Sequence, residues 1–313
     1  MNDCFGRKIT YLRLSVTDLC NLRCVYCMPE EGVQKLRHAD ILSVDELEEI
    51  VRAAAALDIS KVRITGGEPL VRKGIVEICR RVSSVPGITE VGLTTNGTLL
   101  DRYAAELYDA GIKRLNISLD SLDQDTYRTI TRTGELDDAM RGIDAARRVG
   151  FSKIKINVVL LGGVNSGEIR ALAELSRQDD THVRFIELMP IGNTGSSIGR
   201  HIPGDVVLDA VPELNNLGAE GVARLYAFPG ARGTVGIISP LSRHFCPSCN
   251  RIRVTSDGKL KPCLHSADEI DLRGLHGDSL IEVIREAILR KPQRHLLETG
   301  ASGSLRDMNK IGG

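Results

Sequence analysis

The feature that most constrains this chain is a repeated alternation of strand-like and helix-like segments, in which the strands themselves alternate. Six strand-like stretches can be read, Thr10–Thr17, Lys61–Thr65, Glu90–Thr95, Arg114–Asp120, Lys153–Leu160 and His182–Met189. Each is followed by helical spacing or a helix-start signal, which predicts βα units and a parallel sheet. Ser43 with Glu46 three residues later is such a start signal, ahead of apolar Leu47, Ile50, Val51, Ala54 and Leu57. Buried parallel strands are normally continuous apolar runs. Here Leu12, Leu14 and Val16 oppose Arg13, Ser15 and Thr17, and Val62 and Ile64 oppose Lys61, Arg63 and Thr65. Leu115, Ile117 and Leu119 likewise oppose Asn116, Ser118 and Asp120, and Ile154, Ile156 and Val158 oppose Lys153, Lys155 and Asn157. If helices cover the apolar face, the polar face lines an interior, where unpaired Arg and Lys are costly to bury. An open barrel around an anionic ligand resolves the conflict. An α+β sheet with one wet face is the plainer alternative, and the βα order favours the barrel.

Global charge gives no help to that ligand. Lys plus Arg number 41 and Asp plus Glu 41 in 313 residues, so the net charge is zero and no overall field favours nucleic acid or an anionic membrane. The absence of Trp and 4% aromatics argue against a base-stacking platform. No apolar run approaches the roughly 18 residues of a membrane span, and Met1 to Asp18 is too polar for a signal peptide, so a cytoplasmic location is expected. After Met189 a Gly- and Ser-rich stretch, 192–204, marks a boundary, predicting a barrel over residues 1–190 and an extension over 191–313. In the extension, Arg251 to Thr255 reads as a strand before the turn Asp257-Gly258, and Ser279 to Arg290 as an amphipathic helix. The tail from Ala301 to Gly313 is polar, with little to bury.

Six of the eight cysteines fall into two trios. Cys20, Cys24 and Cys27 follow the first strand with C-x3-C-x2-C spacing, and Cys246, Cys249 and Cys263 have C-x2-C-x13-C spacing; Cys4 and Cys79 stand apart. Without a secretion signal, clustered thiols read as metal ligands before disulfides. A structural zinc site wants four ligands, which His38 would supply to the first trio and His244 or His265 to the second. A [4Fe–4S] cluster held by three thiolates leaves one iron open to a small molecule. Both readings stand on spacing alone.

The loop Cys20-Asn21-Leu22-Arg23-Cys24-Val25-Tyr26-Cys27 resembles the signature of radical S-adenosylmethionine (SAM) enzymes. Gly66-Gly67-Glu68-Pro69, at the end of the second strand, resembles that family's GGEP motif, which contacts the amino group of SAM. The resemblance implies a partial TIM-type (β/α)6 radical SAM barrel of the α/β class, with a first [4Fe–4S] cluster on Cys20, Cys24 and Cys27. It also implies SAM contacts at Tyr26, Gly67, Ser118 and Met189. One electron from such a cluster cleaves SAM to methionine and a 5′-deoxyadenosyl radical.

Phe245-Cys246-Pro247-Ser248-Cys249-Asn250-Arg251-Ile252-Arg253, then Asp257-Gly258 and Cys263-Leu264, resembles the C-terminal segment of the GTP-cyclising radical SAM enzymes of molybdenum cofactor biosynthesis. That resemblance runs from Arg13 to the terminal Gly312-Gly313. It implies an iron–sulfur extension whose second [4Fe–4S] cluster, on Cys246, Cys249 and Cys263, binds guanine through its open iron. It implies GTP contacts at Arg13, Arg63, Thr94, Lys155, Arg251, Ile252 and Arg253, and a need for Gly312 and Gly313 in activity. Arg13, Arg63 and Lys155 are also the lumen charges that alternation alone exposes. The implied reaction takes the 3′ hydrogen of GTP, joins that carbon to C8 and gives (8S)-3′,8-cyclo-7,8-dihydroguanosine 5′-triphosphate, the first step toward molybdopterin. The implied partners are SAM, GTP, a low-potential donor such as flavodoxin or ferredoxin and a downstream pyranopterin-forming enzyme, without nucleic acid or membrane and with a homodimer left open. The alternatives are a peptide-modifying enzyme of the sulfatase-maturing type and a zinc-stabilised binding module.

Overall fold

The computed structural model describes residues 1–33, 36–192, 199–295, 297 and 302–312. Its six repeating strands are β1 (Tyr11–Ser15), β2 (Lys61–Thr65), β3 (Glu90–Thr95), β4 (Arg114–Ser118), β5 (Lys153–Leu160) and β6 (Thr181–Glu187). Between them lie α1 (Val44–Ala55), α2 (Ile75–Ser83), α3 (Leu100–Asp109), α4 (Gln124–Thr131), α5 (Leu136–Val149) and α6 (Ile169–Gln178). The expected strands are therefore present to within a few residues. Helix α1 starts as read: the Glu46 N–H donates to Ser43 Oγ at 3.2 Å, and the Ser43 N–H donates to Glu46 Oε2 at 2.7 Å.

The extension adds α7 (Val206–Ala210), β7 (Asn215–Glu220), β8 (Ala223–Ala227), β9 (Val235–Ile238), β10 (Arg251–Val254), β11 (Lys259–Lys261), β12 (Ile270–Asp271), α8 (Gly277–Leu289) and α9 (Met308–Ile311). Its strands join the barrel sheet at both edges, in the order β12-β11-β10-β1-β2-β3-β4-β5-β6-β9-β8-β7. Strand β10 runs parallel to β1 and β9 parallel to β6. The extension thus lengthens each side of the split barrel.

Alternation does the work expected of it. Leu12, Leu14, Val62, Ile64, Leu115, Ile117, Ile154, Ile156 and Val183 are buried in one hydrophobic core beneath the helices. The opposite face turns inward because the sheet curls. Strands β10 and β6 are six steps apart in the sheet, roughly 29 Å if flat at about 4.8 Å per step. Yet the cationic side chains of Arg251 and Arg184 are close enough to act on one another. Ser248 Oγ, just before β10, also donates to the Gly221 carbonyl in the β7–β8 turn at 3.4 Å. The two ends of the sheet thus meet around a polar lumen. Among the described residues no helix is long and apolar enough to cross a membrane.

Candidate functional site

The first cysteine loop leaves the C-terminal end of β1, where barrel active sites sit. It is pinned to the turn after β2. The Gly67 N–H donates to the Thr17 carbonyl at 2.7 Å and the Glu68 N–H to the Leu19 carbonyl at 2.8 Å. A Cβ on Gly67 would stand 2.4 Å from the Leu19 carbonyl oxygen, and one on Gly66 2.7 Å from that of Thr17, so this approach requires both glycines. The Glu68 carboxylate accepts from the Leu70 N–H, from Thr95 Oγ1 at 2.8 Å and from the Asn96 N–H at 2.6 Å, tying the turn to β3. Burial still pushes its carboxyl up to about 7. Asn96 Nδ2 reaches back to Asn21 Oδ1 at 2.9 Å and to Cys20 Sγ at 3.9 Å. Tyr26 donates to Asp120 Oδ2 at 2.6 Å, and Asp120 Oδ1 accepts from the Val159 N–H at 2.7 Å. Burial raises Asp120 to about 6.

The three thiols of this loop lie within electrostatic range of each other. Burial raises Cys20 to about 11 and Cys27 to about 12, and Cys24 strongly upward, with the neighbouring thiols adding to the rise for Cys24 and Cys27. Three thiolates here therefore need a compensating cation. Among the described residues no three His, Cys, Asp or Glu side chains converge as one metal ion requires. Three thiols ringing a larger cationic group fit the donor chemistry of a [4Fe–4S] cluster. Ser118 ends β4 and Met189 follows β6, so both stand at this same rim. The His38 side chain lies outside the described residues.

The second trio stands at the opposite mouth. Cys249 precedes the start of β10 by two residues, and Cys263 follows β11, which runs antiparallel to β10, by two. Since β10 is parallel to β1, these thiols lie at the N-terminal ends of strands whose C-terminal ends carry the first trio. Buried Arg7 holds this loop, donating to the Cys246 carbonyl at 3.0 Å and to the carbonyls of Gln293 and Pro292. Lys291 donates to the carbonyls of Arg251 and Pro262 at 2.9 and 2.7 Å, and Glu187 accepts from the N–H groups of Leu241 and Ser242. Burial raises Cys246. Burial also works upward on Cys249, but Lys291, Arg251 and Arg253 together bring it below its ordinary value. Of the two candidate fourth ligands, His265 faces the Ser302 hydroxyl at 3.2 Å and His244 faces His295 at 3.4 Å.

Between the two mouths runs a belt of cations. Arg253, Arg13 and Arg63 are direct neighbours across β10, β1 and β2. Thr94, Asn116, Lys155 and His182 are neighbours across β3 to β6. Burial and the adjoining arginines lower Arg13 strongly and bring Arg253 to about 10. Lys155 falls to about 8, through burial and then Arg184. Thr94 Oγ1, Asn116 Oδ1 and the Nε atoms of Arg184 and Arg251 are buried without a hydrogen-bond partner among the described residues. This is an electrostatically strained interior that a polyanion would relieve. The structure thus brings together Arg13, Arg63, Thr94, Lys155, Arg251 and Arg253, while Ile252 alternates to the outer core. It adds Arg184, which strict alternation on β6 opposite Val183 and Phe185 would have identified.

The tail departs from the sequence reading. Asn309 and Ile311 are buried, and Asn309 Nδ2 donates to the Asp18 carbonyl at 3.0 Å. Gly312 sits between β1 and β2, where a Cβ would meet Thr65 Oγ1 at 2.5 Å, and its carbonyl accepts from Arg253 Nη1 at 2.5 Å. Its φ of 84° suits glycine alone. Gly313 lies outside the described residues.

A split parallel barrel carrying a three-cysteine loop at its C-terminal rim, locked to a Gly-Gly-Glu-Pro turn, defines a radical SAM protein. Residues 14–176 match the Radical SAM superfamily model, and residues 181–297 match the model described as Molybdenum Cofactor Synthesis C. The fold is shared with Streptococcus suis SuiB bound to S-adenosylmethionine, at a TM-score of 0.64 and 16% identity over 97% of this chain and 77% of that one. The chain belongs to the GTP 3′,8-cyclase family within that superfamily. It is 51% identical to the GTP 3′,8-cyclase of Alkaliphilus metalliredigens, covering 100% of both chains, and 50% identical to that of Peptoclostridium acidaminophilum, covering 99% of this chain and 98% of the relative.

Proposed function

We propose that this protein is a radical SAM lyase that converts GTP to (8S)-3′,8-cyclo-7,8-dihydroguanosine 5′-triphosphate, the first step of molybdenum cofactor biosynthesis. The observation that carries the reading is the belt of Arg13, Arg63, Arg253 and Lys155 between two thiol trios at opposite mouths of one lumen, in a full-length relative of GTP 3′,8-cyclases. The belt suits a triphosphate, because guanidinium forks grip phosphate oxygens in pairs.

Cys20, Cys24 and Cys27 would hold the first [4Fe–4S] cluster, and Cys246, Cys249 and Cys263 the second. The bound groups would supply a carbon radical able to take the 3′ hydrogen of GTP; bonding of that ribose carbon to C8 of guanine leaves a radical on the purine, which one further electron from the low-potential donor and one proton convert to the 7,8-dihydro product. The chain's own residues do the rest. Gly67, Tyr26, Ser118 and Met189 frame SAM at the rim, with Glu68 fixing the turn. Arg13, Arg63, Thr94, Lys155, Arg251 and Arg253 form the GTP wall, with Ile252 packing behind it in the core. Gly312 of the tail occupies the lumen and keeps water from the reacting carbon, while Gly313 is needed with it for activity. Partners in this reading are a low-potential donor such as flavodoxin or ferredoxin and a downstream pyranopterin-forming enzyme, in the cytoplasm, with a homodimer as a further proposed assembly.

Paired substitutions test the division of labour in anaerobically reconstituted protein. Cys24→Ala is expected to abolish 5′-deoxyadenosine formation, whereas Cys263→Ala keeps it and loses cyclisation of GTP. Cyclase activity retained by the Cys263 variant would remove the second trio from the mechanism.

A further inference from the structure

The tail's entry into the lumen needs something to set its register, since Leu305, just ahead of it, is 93% exposed. We propose that Arg306 is the positioning residue that seats the tail, by forking its guanidinium between Asp257 and Glu269. This rests on the cyclase reading above and adds to it how the lumen is closed over substrate.

The geometry is a double clamp. Arg306 Nη1 and Nη2 each lie 2.9 Å from an oxygen of Asp257, and Nε and Nη2 each lie 2.7 Å from an oxygen of Glu269. All three side chains are only 21–24% exposed, so the cluster is shielded from solvent ions. Lys261, fully buried, donates to the same Glu269 at 3.1 Å, so two cations and two carboxylates balance. Both acids belong to the second cysteine region. Asp257 forms the β10–β11 turn, and Glu269 lies on the β11–β12 loop that also carries Cys263. Six residues past Arg306, the Gly312 carbonyl meets Arg253 on β10. Between them, Asp307 seats against Gly192, where a Cβ would be 2.3 Å from Asp307 Oδ1, and Asn309 bonds the loop of the first trio. The clamp therefore ties one edge of the second cysteine region to a segment that touches the first. A lysine cannot reproduce it, because the planar fork serves both carboxylates at once.

The test uses the full chain carrying Arg306→Ala, Arg306→Lys or the isosteric Glu269→Gln. Amide hydrogen exchange of residues 307–312, measured without SAM or GTP, is expected to quicken at least tenfold in the alanine variant and less in the other two. In reconstituted enzyme with SAM, GTP and reductant, 5′-deoxyadenosine should still form while cyclised product per 5′-deoxyadenosine falls at least tenfold. Exchange or coupling ratio within twofold of the parent would overturn the proposal. If the Arg306→Ala variant does not fold, Glu269→Gln decides by the same two readouts. A parent protein that makes 5′-deoxyadenosine but no cyclised GTP defeats the cyclase reading instead, and the exchange measurement still decides whether Arg306 seats the tail.

Discussion

At the residue scale, Lys155 and Gly67 show how local environment sets chemistry. Burial and Arg184 hold the Lys155 ammonium at about 8, so near neutral pH it is charged in the free protein and loses its proton as pH rises toward 9. A bound triphosphate favours the charged form. GTP affinity should therefore weaken above pH 8, by at most about tenfold per pH unit, until the pKa of the bound state is passed. Titrations of GTP binding at pH 7 and 9 check this, and Lys155→Arg should flatten the dependence. Gly67→Ala drives a Cβ into the Leu19 carbonyl. It should cost about 1–3 kcal/mol and abolish SAM cleavage in the protein that remains folded, read by thermal melting and by 5′-deoxyadenosine yield. Both residues were visible in the sequence, Lys155 by alternation and Gly67 by motif. Arg7, Lys291 and Glu187 were not, because each acts through backbone carbonyls or N–H groups that only the folded chain brings near.

At the scale of elements, the six βα units were legible because a strand with one face in a core and one in a lumen has to alternate, whatever its neighbours. Helix packing supplies a check that is independent of the chemistry. Helices α3 and α5 pack against each other, and a Cβ on Gly142 of α5 would lie 2.0 Å from the Gly97 carbonyl. Gly142→Ala should lower stability by about 1–3 kcal/mol in denaturant unfolding, yet leave cyclisation per folded molecule near that of the parent. Strands β7 to β9 escaped the sequence reading. Strand β7 is exposed along its length, so it carries no buried face to print a period, and β9 is four residues whose register is set by β6. The tail escaped for a related reason: apart from Ile311 it has little apolar surface to bury, and it is held by Asp257, Glu269 and Arg253, far away in sequence.

At the scale of the molecule, zero net charge conceals a concentrated interior field. The cations of β1, β2, β5, β6 and β10 face one another, while surface carboxylates balance them from outside, as Glu220 does at 2.8 Å from Arg184 on the rim. A split barrel whose extension lengthens both edges gives this field two mouths, one for each thiol trio. The central claim is that a radical made at one mouth reaches the ribose of a nucleotide held from the other. Its most direct test is isotopic: GTP carrying deuterium at the 3′ position, incubated anaerobically with reconstituted protein, SAM and reductant, with 5′-deoxyadenosine analysed by mass. The account predicts one deuterium in the 5′-deoxyadenosine and its loss from the cyclised product. 5′-Deoxyadenosine free of deuterium, formed alongside cyclised GTP, would contradict the account.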